Sequence, residues 1–575
     1  MPAVEVLKFG SSVLRSPGDL HVAVDEIYRR WRLGFRVLAV VSAFEGVTDI
    51  LMARVTSALG SGGAEATAAY VATGEQQTAA LLLGSLHQYG LPARTVHPHD
   101  IGLVAEGPLL ESMPVRVDTA ALERLWQQSP ILILPGFYGI DSNGRVALFG
   151  RGGSDMSALF LASALGGSCR LLKDVNGVFD ADPARNRLAH RFSVLSWDTA
   201  LEVAGPLIQP KALRYAQDKA LSFEVGRPNE AACTIVGRAQ DEWALPASDA
   251  EPLRVVLVGC GVVGRGVYET IRRYRETFEL SRVLVRDIAK YPDIEHVTMD
   301  PSCVIDDVVD VVIVCYPGTT HAYSFMSAAL NAGKFVITPN KAAIAAHGTA
   351  LARYARGPGK RLWYSAAVGG ALPALETLAS LTTPVREIRG IVNGTSGVVL
   401  EAWSQGKTRE DAILEAQAAG FAELDPTRDL SGLDSADKLA LLIEAAFAEW
   451  IDPTRIAIRG IESISDPNGY KLVARATKNA EGISASVAPE APPPGSFLGQ
   501  ARGPENRLEI ELESGEIIRL RAQGAGRWPT TASVMGDLHE IARLVDTGRD
   551  AHHCRGPGCV GLTDIHCDRD GHPQE

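Results

Sequence analysis

The chain has 575 residues, 46% of them hydrophobic and 22% charged, and its 56 basic and 68 acidic residues give a formal net charge of −12. This length exceeds what a single hydrophobic core supports, and the composition is that of globular rather than disordered proteins. The acidic balance argues against a protein that binds nucleic acid or acidic membranes in general, while leaving room for a local basic pocket for phosphates.

The sequence carries no signal for a membrane or for secretion. No apolar run reaches the roughly 18–20 residues that cross a bilayer, and residues 4–9 already have the pattern of a strand rather than a leader peptide. The eight cysteines are scattered, several of them inside predicted core strands, which is typical of reduced thiols. We therefore predict a cytoplasmic protein with no membrane and no nucleic-acid partner.

Short β-branched runs alternate with helical patterns along the chain, which predicts α/β architecture. In the first half, strands are predicted at residues 4–9, 36–42, 130–134 and 169–172. In the second half a new series begins, with strands predicted at 253–258, 281–285, 309–315 and 334–338. The segment 240–252 lacks periodicity and is predicted as the domain boundary.

Two further segments lack a periodic pattern. Residues 488–495 include three consecutive prolines, which indicates a surface loop, and the polar segment after Asp546 is typical of a poorly ordered tail. The tail contains six residues of types that bind zinc, namely His552, His553, Cys554, Cys559, His566 and Cys567. Their spacing matches no paired CxxC pattern, so we predict no metal ligand there.

A glycine-rich turn opens the second series. The sequence RVVLVGCGVVGRGVYETI places Gly259, Gly261 and Gly264, with Val262 and Val263 between them, after a predicted buried strand and before a predicted helix. In that context the glycines allow a tight turn, close approach of a pyrophosphate and close helix–strand packing, and the helix N-terminus offers free N–H groups to phosphate oxygens. We therefore predict a dinucleotide site.

The choice between NAD and NADP stays open on the residues alone. Asp287 stands about where an acid would hold the ribose hydroxyl of NAD. Arg286 comes directly off the predicted strand and Lys290 follows, and these cations suit the 2′-phosphate of NADP, although a solvated charged loop explains Lys290 nearly as well. We favour NADP.

Two segments contain the candidate residues for binding a substrate. In VITPNKAAIA, Lys341 follows a strand end and begins a helix, where open sheets bind ligands. In AGFAELDPTRDLSGLDSADKLALL, Asp434 shares a helical face with Lys438, and Glu423, Asp425 and Asp429 also crowd near this lysine. Carboxylates beside a lysine would hold an ammonium group and shift the pKa of the lysine, whereas spacing alone would favour a solvated loop and a salt-bridged helix start.

The second half resembles the homoserine dehydrogenases. The segments GCGVVG, TPNKAAIA, VGGALP, GIVNGTSGVVL, GFAELDPTRDLSGLDSADK and GAGRWPTTASVMGDL occur in the family's order over about residues 253–545. The resemblance implies reversible hydride transfer between a nicotinamide and aspartate semialdehyde, with Lys341 and Lys438 as proton-handling residues. It also implies that Glu423, Asp429 and Asp434 hold the substrate's amino group and the catalytic lysine, and that Asn393, Gly394 and Thr395 lie between two subdomains.

The match departs from the family pattern at two places. Ser396 and Gly397 follow Thr395 where the family reads NGTTN, and Ser365 stands where the family has an acid associated with a monovalent cation. The second departure concerns the metal site rather than the catalysis, and we assign no metal ligand.

The first half resembles the aspartate kinases of the amino-acid kinase family. VLKFGSSVL, VVSAFEGVTD, ATGEQ, LPGFYGI, LFGRGGSDMSA, LLKDVNGVFDADP and SWDTALEVAGPLIQPKALRYA occur in order over about residues 4–237, although each alone is compatible with an ordinary glycine-rich turn. The resemblance implies that Lys8 stabilises the γ-phosphoryl group of ATP and that Asp155 organises the reacting centre, with Mg²⁺ bridging phosphates. It further implies that Glu75, Arg151 and Ser154 contact aspartate, and that Lys173 and Asp174 hold the nucleotide.

This half departs from the family in two respects. The family opens with KFGGTSV or KFGGSS, whereas this chain reads KFGSSV, so a glycine is deleted or replaced by Ser11. A serine there puts a Cβ where the backbone approaches phosphate. Bifunctional relatives carry sensing ACT domains between the halves, but residues 238–252 are too few for even one βαβ unit of about 30 residues. We expect no feedback module of that kind.

These arguments predict an amino-acid-kinase fold at 1–240, a Rossmann dinucleotide-binding domain at 253–385 plus 528–548, an α+β substrate and dimerisation domain at 386–527, and a polar tail at 549–575. We expect a homodimer or higher homo-oligomer, by analogy alone. The alternatives are a working dehydrogenase with a degenerate kinase half that binds or regulates, and a kinase half acting on another amino acid.

Overall fold

A computed structural model describes residues 3–60, 63–186, 188–205, 207–244, 251–357, 359–524 and 526–553. Within these residues the strands form four sheets. Two of them lie in an N-terminal half (residues 3–244) and two in a C-terminal half (residues 251–553).

The N-terminal half is built around one mixed sheet whose central strands are parallel. Its strands are β1 Val4–Phe9, β2 Arg36–Val41, β3 Ala93–Thr95, β4 Val104–Glu106, β5 Met113–Arg116, β6 Ile131–Pro135, β7 Tyr138–Ile140, β8 Val146–Leu148, β9 Ser168–Leu172, β10 Phe192–Ser196, β11 Phe223–Gly226, β12 Cys233–Gly237 and β13 Glu242–Trp243. Its helices are α1 Leu20–Arg32, α2 Val47–Leu59, α3 Ala64–Val71, α4 Thr73–Gln88, α5 Thr119–Trp126, α6 Gly153–Leu165, α7 Trp197–Val203 and α8 Pro210–Asp218.

The main sheet of this half has the order β13-β10-β12-β11-β9-β1-β2-β6-β3, and β5-β4-β7-β8 form a smaller sheet. β1, β2 and β6 are buried along nearly their whole length, as expected for parallel strands covered on both faces. β1 runs parallel to β2 and to β9, so the carboxyl ends of these strands meet at one edge.

The C-terminal half begins with a wholly parallel sheet in the order β16-β15-β14-β17-β18-β19. Its elements are β14 Leu253–Val258, α9 Val262–Ile271, β15 Phe278–Leu284, β16 Val297–Thr298, β17 Val311–Val314, α10 Thr320–Asn331, β18 Phe335–Ile337, α11 Lys341–Ala355 and β19 Leu362–Trp363. The strand order reverses beside β14, where open α/β sheets bind their ligands.

The chain then enters a largely antiparallel sheet, β21-β23-β22-β20-β24-β25, packed against helices. Its elements are α12 Ala374–Ser380, β20 Val385–Ile391, α13 Gly394–Ser404, α14 Arg409–Ala418, α15 Thr427–Leu430, α16 Leu433–Phe447, β21 Ala457–Ile458, β22 Lys471–Asn479, β23 Gly482–Glu490, β24 Glu505–Leu512 and β25 Ile517–Gln523. The last helix, α17 Arg527–His553, returns to the parallel sheet and packs on α9.

The two halves pack directly on each other. Helix α1 lies against α17, and Tyr274 after α9 donates a hydrogen bond to Asp25 of α1. One continuous apolar core includes residues of both halves, such as Leu7 and Val256.

The predicted strands are confirmed, with ends shifted by up to three residues. One local prediction is wrong in part. The predicted loop 488–495 begins inside strand β23, because Ala488, Pro489 and Glu490 continue the pairing with β22, and only its later part is a loop. Of the predicted polar tail, residues 549–553 belong to helix α17, and residues 554–575 lie outside those that the structure describes.

Strand β13 pairs with β10 inside the segment that sequence marks as the boundary. Within the described residues, no helix combines the length and apolarity needed to span a bilayer.

Candidate functional site

The glycine turn after β14 leaves open space at a helix N-terminus. Gly259 has a φ of +88°, and a Cβ on Gly264 would lie 2.1 Å from the Gly259 carbonyl oxygen, so turn and packing both require glycine there. At Gly261, in contrast, a Cβ would meet nothing within 4 Å. The N-cap residue of α9 is Gly261, which has no side chain to cap the first N–H groups, and Val262 is 71% exposed. This cradle fits a pyrophosphate, which would accept those N–H groups.

The residues that bear on cofactor choice lie together after β15. The Arg286 guanidinium lies 5.6 Å from the centroid of the Tyr316 ring. The Asp287 carboxylate accepts a hydrogen bond from the Ala289 N–H, and Lys290 lies 3.9 Å from Asp287. Arg286, Asp287 and Lys290 are exposed, so the cations and the acid weighed from sequence share one surface.

One buried carboxylate holds both lysines predicted to handle protons. Asp434 Oδ1 lies 2.8 Å from Lys341 Nζ, and Asp434 Oδ2 lies 2.9 Å from Lys438 Nζ. Asp434 and Lys438 are one turn apart on α16, whereas Lys341 comes from the start of α11. The structure thus brings together residues nearly 100 positions apart, at the junction between the parallel sheet and the largely antiparallel sheet of the C-terminal half.

The charges of this cluster are unequally exposed. The Lys341 side chain is 35% exposed and that of Lys438 is 9% exposed. Burial would raise the pKa of Asp434, but Lys438 and Lys341 outweigh burial and hold it well below its usual range. Burial would lower the pKa of Lys341, but Asp434 raises it above its usual value.

Asn393 connects the cluster to a second acid. Its amide nitrogen donates to Asp429 Oδ1 at 2.6 Å and to Asp434 Oδ2 at 2.9 Å. Burial, and then the negative charge of Asp434, raise the pKa of Asp429. The side-chain oxygen of Asn393 accepts from the Ser396 N–H, so Asn393 also caps α13.

The departures around NGTSG have local structural explanations. A Cβ on Gly397 would lie 2.5 Å from the Gly503 carbonyl oxygen, which accounts for glycine at that position. Thr395 donates to the Phe421 carbonyl oxygen, and Gly394 begins α13.

Two supporting groups were missed in the sequence. The Val392 carbonyl oxygen accepts a 2.6 Å hydrogen bond from Lys438 Nζ, and a backbone group has no side-chain signature. Asn340 caps α11 through the Ala343 N–H, and its amide donates to the carbonyl oxygens of Tyr316 and Gly318. The N-cap preference for Asn, directly before Lys341, was the signal available for it.

Glu423 lies in the connection between α14 and α15. It is exposed, and its backbone carbonyl oxygen accepts from Gln417. Ser365, at the position where the family has an acid, donates its N–H to Asp537 and accepts a hydrogen bond from Arg32 of the N-terminal half. The described residues contain no group of three or more His, Cys, Asp and Glu side chains suited to a metal ion. His552 and His553 end α17, and the other predicted zinc-type residues lie outside the described residues.

The N-terminal half contains a second cluster of one acid between two lysines. Lys8 Nζ lies 2.7 Å from Asp155 Oδ1, and Lys173 Nζ lies 3.0 Å from Asp155 Oδ2. Lys8 belongs to β1, Lys173 directly follows β9, and Asp155 lies in the first turn of α6. All three side chains are buried.

Burial is opposed by ion pairing in this cluster. It lowers the pKa of Lys8 to about 8, although Asp155 acts in the opposite direction. Burial would raise the pKa of Asp155, but Lys173 and Lys8 outweigh it and lower the value to about 2. Gly10 makes room for the bent Lys8 side chain, since a Cβ there would lie 3.0 Å from Lys8 Nζ.

The predicted amino-acid-binding residues are differently placed. Glu75 is buried at the start of α4, where its Oε1 accepts from the Ala43 N–H and its Oε2 accepts no hydrogen bond from the described residues. Burial raises the pKa of Glu75 to about 7. Ser154 is buried beside Asp155, whereas Arg151 and the altered Ser11 are exposed.

A cavity of about 240 Å³ adjoins this cluster. Lys173 and Asp174, the residues predicted to contact the nucleotide, line it. Its wall also includes Arg15 and Arg227, which were missed because they lie outside the segments that carried the resemblance. Arg227 donates to the Asp174 carbonyl oxygen at 2.8 Å and forms an ion pair with Glu276 of the C-terminal half.

Comparison with known proteins assigns a family to each part of the chain. The amino acid kinase family model matches residues 3–221, the homoserine dehydrogenase NAD-binding domain matches 259–365, and the homoserine dehydrogenase model matches 373–539. These matches confirm the predicted order of folds and a nicotinamide-cofactor domain.

Individual relatives match the C-terminal half. Homoserine dehydrogenase of Bacillus subtilis is 32% identical over 330 residues, covering 53% of this chain and 76% of that protein. The enzyme of Corynebacterium glutamicum is 33% identical over 333 residues, covering 53% and 74%. The crystal structure of a homoserine dehydrogenase from Thiobacillus denitrificans is 29% identical, covers 53% of this chain and 76% of that one, and has a TM-score of 0.48.

The glycine turn, the shared carboxylate between two lysines and these matches lead to one conclusion. The chain belongs to the homoserine dehydrogenase family, with an amino acid kinase domain fused ahead of the dehydrogenase.

Proposed function

We propose that the C-terminal half reduces aspartate semialdehyde to homoserine with NADPH. The observation that carries this proposal is the pair of lysines held by Asp434 at the junction of the two C-terminal sheets. A carbonyl placed there would face a partly exposed ammonium group beside a fully buried ion pair.

The lysines supply the proton for the developing alkoxide. The nicotinamide supplies the hydride when bound. Lys341 is the more exposed of the two, and its raised pKa keeps it protonated at neutral pH. Lys438 is fixed by Asp434 and by the Val392 carbonyl oxygen, so it would orient the substrate oxygen and share its negative charge.

The acids would hold the substrate's ammonium group. Asp429 has one oxygen bound by Asn393, and its raised pKa shows that a neighbouring cation would be favourable there. Glu423, which is exposed, stays a predicted ligand for the same group.

NADP is the proposed cofactor. The cradle of Gly259, Gly261 and Gly264 would receive the pyrophosphate, with Val262 and Val263 at the helix start. Arg286 and Lys290 would meet the 2′-phosphate, because both are exposed cations directly after β15.

We propose in addition that the N-terminal half phosphorylates aspartate with ATP. Lys8 and Lys173 would neutralise charge on the transferring phosphoryl group, while Asp155 holds both lysines in place. Lys173 and Asp174 would contact the nucleotide in the adjoining cavity, and Mg²⁺ bound to the phosphates would neutralise further charge. Glu75, Ser154 and Arg151 would contact aspartate.

One alternative is a dehydrogenase whose kinase half only binds or regulates. Exposed Arg151 and the Ser11 departure favour it, whereas the intact cluster of Lys8, Asp155 and Lys173 favours activity. A kinase for another amino acid is the third candidate. ATP-dependent hydroxamate formation with hydroxylamine separates the three: product with aspartate supports our proposal, product with a different amino acid supports the third, and none at high enzyme concentration supports the first.

The dehydrogenase proposal is tested by measuring NADPH oxidation with aspartate semialdehyde. The wild type is compared with Lys438→Ala, and each measurement is repeated with NADH. Turnover that the substitution abolishes supports the proposed role, and no turnover with either cofactor would contradict it. A cytoplasmic location and a homodimer stay predictions.

A further inference from the structure

Arg32 is a kinase-domain residue whose charged end lies in the dehydrogenase. It is the last residue of α1 and is 4% exposed. Its Nη2 lies 2.6 Å from Asp537 Oδ1 and 2.6 Å from Glu376 Oε1, and it donates to the Ser365 hydroxyl oxygen at 3.3 Å. A guanidinium so deeply buried is placed by its partners rather than by solvent.

The surrounding residues leave space for this group and require its charge. A Cβ on Gly536 would lie 1.9 Å from Arg32 Nη1, so glycine is needed for the guanidinium to enter. The Tyr28 ring lies 5.7 Å from the guanidinium carbon. Burial raises the pKa of Asp537 to about 6, and Arg32 opposes that rise. Neither oxygen of Glu376 accepts a hydrogen bond from the described residues, so its compensation is the charge of Arg32.

The partners of Arg32 are connected to α16, the helix that carries Asp434 and Lys438, through a short series of contacts. Asp537 accepts the Ser365 N–H at 3.2 Å, and the preceding Tyr364 donates to Glu444 at 2.9 Å. Glu444 belongs to α16, the helix that carries Asp434 and Lys438. Glu376 lies on α12, which also packs against α16.

We propose that Arg32 is a positioning residue for the dehydrogenase reaction. It holds the Ser365 segment and α12, and through them it sets the position of α16 and its lysine. The kinase domain is thereby a structural part of the dehydrogenase site. This inference rests on the dehydrogenase function proposed above.

The test compares substitutions at one interface. Arg32→Met removes the charge, and Glu376→Gln removes one partner without opening a cavity. Tyr274→Phe is the matched control, because it removes the hydrogen bond to Asp25 at the same interface without touching Ser365 or α12. Arg32→Lys keeps the charge but cannot form the same planar set of contacts.

We expect Arg32→Met to lower kcat for semialdehyde reduction about tenfold or more, because small displacements of reacting groups are costly, with KM for NADPH changed less than about twofold. Glu376→Gln should lower kcat by a smaller factor, Arg32→Lys should restore part of the loss, and Tyr274→Phe should keep wild-type kcat. Hydrogen exchange of residues 364–380 should accelerate in Arg32→Met and stay unchanged in the control.

Equal kcat losses in Arg32→Met and Tyr274→Phe would show general loosening and overturn the inference, as would unchanged kcat in both Arg32→Met and Glu376→Gln. If Arg32→Met does not fold, Glu376→Gln against Tyr274→Phe decides. Lack of turnover by wild type would contradict the proposed function instead. Hydrogen exchange would then decide alone, since unchanged exchange at 364–380 in the Arg32 or Glu376 variant overturns the positioning role.

Discussion

The two halves of this chain contain the same arrangement of charges with opposite consequences. In each, one buried aspartate lies between two lysines, Asp155 between Lys8 and Lys173 and Asp434 between Lys341 and Lys438. In the kinase domain both lysines are buried, and the pKa of Lys8 falls to about 8. In the dehydrogenase Lys341 is one-third exposed, and its pKa rises.

The difference shows that the surrounding charges decide whether burial or the shared carboxylate prevails at a lysine. Attraction to an aspartate favours the charged lysine in both sites, but burial opposes the charge. Around Lys8, burial and the second lysine outweigh the aspartate, whereas around Lys341 the attraction of Asp434, Asp429 and Asp437 outweighs burial. The phosphates of a bound ATP would favour the protonated form of Lys8, whereas a lysine that donates a proton must carry it before the reaction.

The largest effects should come from removing the shared carboxylates. Asp155→Asn should lower kinase kcat by about 100-fold or more and leave the dehydrogenase active, and Asp434→Asn should do the reverse. Asp155→Asn leaves two buried lysines unpaired and should cost about 3–5 kcal/mol of the free energy of unfolding. Chemical denaturation and both activity assays check this. Equal loss of both activities in either variant would contradict independent clusters.

The pH dependence of the two activities should separate the lysines. Lys8 loses its charge as pH rises through about 8, so kinase kcat/KM for ATP should fall by about tenfold per pH unit well above that value. Lys341 has a raised pKa, so the dehydrogenase should show no such loss between pH 8 and 9. Rate profiles from pH 6 to 10 measure both. A kinase profile flat to pH 9.5 would contradict the assignment of Lys8.

A medium effect is expected at the cofactor surface. Arg286→Ala should raise KM for NADPH about tenfold while changing KM for NADH little, since a charge-assisted contact to the 2′-phosphate is lost. Lys290→Ala is the matched control, with a smaller effect expected because the Lys290 ammonium already has Asp287 as a neighbour at 3.9 Å. Steady-state kinetics with both cofactors measure the ratio. An equal rise for NADH would place Arg286 away from the phosphate.

The smallest effect concerns Glu75. Its pKa of about 7 means that it is increasingly neutral as pH falls through 7, so KM for aspartate should rise a few-fold between pH 7.5 and 6 if the carboxylate binds the substrate's ammonium group. Glu75→Gln should have the higher KM at every pH and lose this dependence. A wild-type KM that does not vary with pH would remove Glu75 from the aspartate site.

Much of the molecule was accessible to sequence reasoning because it depends on local patterns. The strands at residues 4–9 and 253–258 were predicted from β-branched runs, and the turn at Gly259 from the steric needs of a strand–helix connection. Contacts between side chains on one helix follow from spacing, as for Asp434 and Lys438, which lie four residues apart. The reach of α17 to His553 and of β23 to Glu490 was missed, because polar or proline-containing ends give weak local signals that pairing and packing override.

The sequence by itself determined which chemical groups are present and which lie next to each other along one element. Only the tertiary structure decided that Lys341 reaches Asp434, that Lys8 and Lys173 share Asp155, and that Arg32 enters a dehydrogenase pocket more than 300 residues away. The physical reason is that burial and electrostatic coupling depend on distances through space. A lysine's pKa is therefore set by neighbours that its own segment does not specify.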